Sequence, residues 1–330
     1  MTNAAFQRQL LDRIADRLPR RIGIVQALVQ TLDLTAAAAG RIATGEQELT
    51  LAQAYRLTAQ YGLPDIGQQA GAVSFALTGL HYNVFDLEAY FSRLLAELDH
   101  IDVYGPRTLY YAAADFPVFL LFQFPELAAF KMYFWARTVY GLPGLQDRPF
   151  DTEDLNLTAL EGGTQAWQRY LKIPSVEIWH PEVVHRTLEQ LGYAAEHRFF
   201  EDRADVAVLC DTLQELLRWV ERQAAQSRKY KPGNYPPKRE NYYLYLHETA
   251  VHNNAILFSS PDVQRAFVMP NTLDFLATAH PTYCAHTEAQ FKRIRQGAIP
   301  LYGDAAQATR QAVFEGFRME VQAVRDALYG

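Results

Sequence analysis

The sequence is poor in cysteine, in charge of one sign and in long apolar runs, and each shortage closes off a class of protein. Two cysteines, Cys210 and Cys284, occur in 330 residues. That is too few for a disulfide framework or a four-cysteine zinc site, and it suits a reducing cytoplasm. The most apolar region, Tyr110 to Tyr140, is interrupted by Asp115, Pro117, Gln123, Pro125, Glu126, Lys131 and Arg137. It falls short of the roughly 20 clean apolar positions of a spanning helix, so no membrane partner is expected. The start of the chain, MTNAAFQRQLLDRIADRL, is amphipathic and charged, without the apolar stretch of a signal peptide. A net charge of −6 excludes a basic field over the whole molecule. The phosphate loops GxGxxG and GxxxxGK[ST] are missing. No nucleophile–base pair or metal-ligand set stands out, so neither an enzyme nor a cofactor is expected.

What is present is ordinary globular material, 49% hydrophobic and 21% charged, in a chain long enough for two domains. Residues 1–70 hold seven arginines against six acids, a net +1, which leaves −7 for the remainder. Apolar residues recur at the helical period in four short segments, 4–18, 22–32, 35–44 and 51–61. Thr35 and Thr50 are fair N-caps, Gly45 closes the third segment, and Gly62 and Pro64 stop the fourth. This predicts a compact unit over 1–67, a connector over 68–84 and a larger domain over 85–330.

The spacing within IGIVQALVQTLDLTAAAAGRIATGEQELTLAQAYRLTAQYGL, residues 22–63, resembles the helix-turn-helix of phage-repressor-like (XRE-type) DNA-binding domains. Leu28 stands in the first motif helix, Leu32, Leu34 and Thr35 at the turn. Arg41–Ile42 followed by Gly45 echoes the end of the recognition helix. The resemblance implies a transcriptional regulator of double-stranded DNA, acting in the cytoplasm as a homodimer, with helix 35–44 in the major groove. Ala39 and Ile42 would face inward. Thr35, Ala36, Ala37, Gly40, Arg41 and Thr44 would face DNA, with Arg20 and Arg21 beside them for the phosphates. Three departures stand against the pattern. Val29 replaces the usual alanine, Asp33 replaces a common glycine, and the outward face carries one arginine and no Asn, Gln or Lys. A protein-interaction or scaffold module with a vestigial helix-turn-helix therefore stays open as the alternative.

The resemblance extends to bacterial regulators that join this unit to a large helical C-terminal domain. It is carried by residues 110–139, 170–193 and 241–258. Helical periodicity dominates there, and alternation is clear only in YYLYLHETAV, AILFSS and QRAFVM. The expected fold is mainly α, with one small antiparallel β element at about 241–269. The last helix, from about Ala305, repeats apolar residues at 3,4 spacing and is a candidate for the dimer contact.

The aromatic cluster from Tyr110 to Trp135 is read as core. Its alternative is a pocket for a small-molecule effector, anchored by Asp115, Glu126 or Lys131. His247, Glu248 and His252 miss the metalloprotease spacing by one residue and are read as parts of a hairpin; His180 and His185 lack a third ligand. Residues 228–241, RKYKPGNYPPKREN, read as a solvated loop.

Overall fold

A computed structural model describes residues 2–18, 22–63, 73–77, 86–102, 107–153, 155–249, 251–269 and 273–329. The chain divides into two compact units, at Phe75 and Ala76. Of the expected connector, only 73–77 lies within the described residues.

The first unit holds helices α1 (Asn3–Ala15), α2 (Ile24–Leu32), α3 (Ala36–Thr44) and α4 (Leu51–Gln60). Their apolar stripes meet in one core containing Leu10, Ile14, Leu28, Ala39, Ile42, Leu57 and Leu63. Each larger aliphatic side chain fully withdrawn from water there contributes roughly 1.5–3 kcal/mol. The ends are set by local chemistry. Thr2 and Thr35 cap α1 and α3, accepting from Ala5 N and Ala38 N at 3.3 Å. Thr50 and Gln53 form a reciprocal capping box on α4.

The second unit contains β1 (Ala76–Leu77), α5 (Leu87–Asp102), β2 (Thr108–Ala113), α6 (Val118–Leu121), α7 (Pro125–Thr138), α8 (Pro143–Gln146) and α9 (Leu157–Tyr170). It continues with β3 (Ser175–Trp179), α10 (His185–Glu196), α11 (Ala204–Gln226), β4 (Tyr242–Leu246), β5 (Asn254–Ser259), β6 (Gln264–Met269) and β7 (Leu276–Thr278). Helix α12 (Pro281–Gly297), β8 (Ile299–Pro300) and α13 (Gln307–Tyr329) complete it.

The eight strands form one sheet in the order β1-β7-β6-β5-β2-β3-β4-β8. The strands β2, β3 and β4 run parallel, and all other pairings are antiparallel. This overturns the expectation of a mainly α domain with one small β element. The missed strands are β2 and β3, both interior to the sheet, and the short β1, β7 and β8. Strand β2, covered on both faces, reads as an apolar run because neither face needs polar residues, whereas β3 carries the buried Ser175 and Glu177. A strand of two or three residues is too short to show a period at all.

The crossovers β2→β3 and β3→β4 advance in the same direction across the sheet. With the usual right-handed connection, both must lie on one face. Their helices, with α5 and α13, do cover one face, on which Leu109, Tyr111, Trp179, Leu244 and Phe258 point into a single large core. The alternate residues Ala112, Val176, Ile178 and Leu257 point to the other face, where Cys284 and Phe291 of α12 meet them. The expected hairpin through His247 and His252 is likewise absent. Strands β4 and β5 are not partners, since β3 and β2 lie between them. No helix among the described residues is long and apolar enough to cross a membrane.

Candidate functional site

In the first unit the turn between α2 and α3 carries Asp33 in the left-handed region, at φ 55°. Aspartate is one of the few residues whose short polar side chain tolerates that conformation. Its carboxylate pairs with Arg56 of α4 at 2.9 Å, on the surface. Gly45, at φ +83°, ends α3. Between these points Ala39 and Ile42 are buried, Thr35, Ala36, Ala37, Arg41 and Thr44 are exposed, and Gly40 is half-buried. The outward set expected from the sequence is therefore gathered on one side of α3. The Thr35 oxygen accepts the Ala38 amide at 3.3 Å, which leaves its hydroxyl proton as a donor. The Arg41 side chain reaches Gln47 Oε1 at 3.4 Å. Arg20 and Arg21 lie outside the described residues.

Two features of this unit were not legible in the sequence. Gln7 is buried; its amide nitrogen donates to the carbonyls of Ile42 (2.9 Å) and Gln47 (2.8 Å), and its oxygen accepts the Leu49 amide (2.8 Å). One side chain of α1 thereby fixes the segment that leaves α3. On α4, Leu51 and Tyr55 are 88% and 74% exposed, four residues apart on one helix.

In the second unit the carboxyl ends of the parallel strands converge. His180 N donates to Ala113 O and His247 N to Trp179 O, both at 2.9 Å, so the ladder continues past β2, β3 and β4. The chain then crosses to β5, where Asn254 Oδ1 accepts the amides of Ala114 (2.8 Å) and Asp115 (3.1 Å). The carboxyl ends of parallel strands are where α/β folds commonly bind ligands. A cleft of about 500 Å³ lies here, lined by Asp115, Phe134, Trp135, Arg186, Gln190, Tyr193 and the stretch from His252 to Asn254.

Of the anchors expected for an effector, only Asp115 lines this cleft. Its carboxylate already holds Lys131 Nζ (2.9 Å), Thr187 Oγ1 (3.0 Å) and the Phe116 amide (2.8 Å). Lys131 is buried, and that burial pushes its ammonium down against the pull of Asp115. The pair is structural: it ties the end of β2 to α7 and α10. Most of the aromatic cluster is core, with Tyr111, Phe116, Phe119, Phe122 and Phe130 buried. Phe134 and Trp135 alone reach the cleft.

A second buried charge pattern had no sequence signal. Glu177, central in β3, accepts from Tyr170 OH, from Trp179 Nε1 (2.9 Å) and from Tyr242 OH (3.0 Å). Burial pushes its carboxyl up, opposed by the charge of Lys229. Lys229 is itself buried, with Nζ 3.4 Å above the Tyr170 ring and 2.9 Å from Tyr170 O. Burial drives this ammonium well down, again opposed by Glu177.

Both cysteines are buried thiols. Among the described residues no three His, Cys, Asp or Glu side chains come together as a metal site. Compared with known proteins, the chain matches no family model, no curated protein and no solved structure.

Proposed function

We propose that this chain is a DNA-binding transcriptional regulator of the cytoplasm. Its first unit would dock α3 in the major groove, and its second would serve dimerisation or signal sensing. The observation that supports this reading is the geometry around α3. Helix α2, the left-handed Asp33 and the Thr35 cap present one exposed face of small side chains with a single arginine. Small residues let a helix sit deep in a groove about 12 Å wide. The free amides at the Thr35 end suit a phosphate. One such helix covers few base pairs, so a homodimer on a two-fold site is part of the proposal. The apolar stripe of α13 does not supply that contact, because Phe314, Phe317 and Val321 are buried within the second unit.

The test is a salt titration of wild type and Arg41→Ala on a site selected from random DNA and on a scrambled one. If Arg41 reads a guanine, the variant loses about 1–3 kcal/mol on the selected site and less on the scrambled one. If it grips only phosphate, binding weakens evenly and the salt slope falls by about one. Wild-type protein that binds neither DNA at low salt overturns the reading. An interaction module is the alternative, and the exposed Leu51 and Tyr55 of α4 favour it, since apolar side chains held in water are typical of protein contacts.

A further inference from the structure

The segment 228–241 is exposed over 231–240, as its composition suggests, but it is anchored at both ends. Asn241 closes its neck, accepting the Lys229 amide at 2.7 Å and donating to Leu171 O at 3.0 Å. Gln223 Nε2 holds the Tyr230 carbonyl at 2.9 Å, and the Trp219 ring meets the Tyr230 ring edge-on at 5.1 Å. A turn follows, with Asn234 N bonded to Lys231 O at 3.0 Å and Gly233 at φ +84°. These anchors give the segment a fixed wall. Facing it are Gln168 of α9 and Lys172 just beyond that helix, and between them lies a cleft of about 510 Å³. That volume falls within the roughly 300–1,000 Å³ usual for small-ligand sites.

The charge of this cleft runs against that of the unit that holds it. The second unit is acidic by seven charges, yet the exposed Lys172 and Lys231 line the cleft and no Asp or Glu does, while Lys229 turns its ammonium inward to Tyr170 O. A patch of one sign in a domain of the other focuses an anionic ligand. The cleft also has an aromatic wall. Tyr235 is 96% exposed, so its ring stands in water beside the lysines, and Tyr230 is fixed further in. A bare anion would use the lysines and leave the rings idle. A ligand with a phosphate and a flat ring uses both, through charge-assisted hydrogen bonds and stacking. The amides of Asn234 and Gln168 add donors and acceptors for ring edges.

We propose that the cleft between the end of α9 and the 228–241 segment binds a phosphorylated nucleoside, with Lys172 and Lys231 on the phosphate and Tyr235 stacked on the base. The site is separate from the helix-turn-helix, and the two readings stand or fall independently.

Calorimetric titration of the full chain tests this with each of the four ribonucleoside 5′-monophosphates, the matching nucleosides and inorganic phosphate. At least one monophosphate is expected to bind tenfold or more tightly than its nucleoside and than phosphate. Lys231→Glu alters an exposed side chain, so its thermal midpoint should match wild type while affinity drops at least tenfold. Tyr235→Ala should weaken the nucleotide and leave phosphate binding unchanged. Absence of binding by all four monophosphates at millimolar concentration overturns the proposal, as does binding that survives Lys231→Glu. Single-stranded oligonucleotide bound through Lys231, with no monophosphate bound, assigns the cleft to a nucleic-acid strand and equally overturns it.

Discussion

Two glycines of α3, five residues apart, do opposite work. Gly40 lies within the helix with no atom near the place a Cβ would occupy, so its missing side chain only loosens the unfolded chain. Gly40→Ala should raise stability by about 0.5–1 kcal/mol. Gly45 also has open space around it, but its φ of +83° belongs to the left-handed region. There alanine costs about 1–2 kcal/mol, through the backbone alone. Thermal melts of the two variants should therefore move in opposite directions, and a shared direction refutes this assignment. The same physics applies at Asp33, which also lies in the left-handed region. Gly45 could be read from the sequence, because a glycine after a helical stripe is a strong stop signal. Gln7 could not, because a glutamine on an amphipathic helix looks solvated until its three backbone partners are known.

At the scale of elements, the Gly162–Gly163 pair of α9 packs tightly against Phe91 of α5. A Cβ on Gly162 would lie 2.7 Å from Phe91 Cγ, and one on Gly163 3.1 Å from Phe122 Cδ1. The Phe91 ring is locked by neighbours, edge-on to Phe122 at 5.4 Å and to Tyr90 at 5.1 Å, so it cannot yield cheaply. Gly162→Ala should cost about 1–3 kcal/mol by overpacking. Gly192 in α10 has nothing within 4 Å, so Gly192→Ala should be neutral or stabilising. Urea midpoints compare them, and equal effects would count against close packing as the reason for the glycine pair. The helices themselves were legible from their stripes and caps. Strands β2 and β3 were not. TLYYAA alternates between two buried faces of like apolar character, and SVEIW buries Ser175 and Glu177 on one face, which only their tertiary partners reveal as core.

The whole second unit is organised around a sheet with a core on each side, and each core contains one cysteine. Cys210 lies in the large helical core and Cys284 beneath α12. Burial pushes the Cys210 thiol up to about 12 from an ordinary 9.0. Folded protein therefore keeps this proton where the unfolded chain gives it up. The thiol's contribution to stability is complete below about pH 9.0 and fades as pH climbs toward 12. At mildly alkaline pH a thiol-reactive disulfide reagent should find no reactive cysteine in the native protein. Two thiols should appear in denaturant, in one phase that tracks unfolding of the second unit. Rapid labelling of either cysteine without denaturant would show that its core opens locally.

The sequence by itself determined the local features of this protein. It specified the four helices of the first unit, the side of α3 that faces out, the stops at Gly45 and Gly62, and most helices of the second unit. These depend on residues within one or two turns of each other, where period, capping and turn chemistry act. The tertiary structure alone decided the sheet order, which separates β4 from β5 by setting β2 and β3 between them. It also decided the burial of Lys131 against Asp115 and of Lys229 beneath Glu177, and it shaped the cleft of the 228–241 segment. Many of these outcomes rest on partners distant in the chain, 16 residues for Lys131 with Asp115 and 140 for Asn254 with Ala114. No local pattern encodes which distant side chain will neutralise a buried charge or cap a strand end; only the completed packing of the unit selects it.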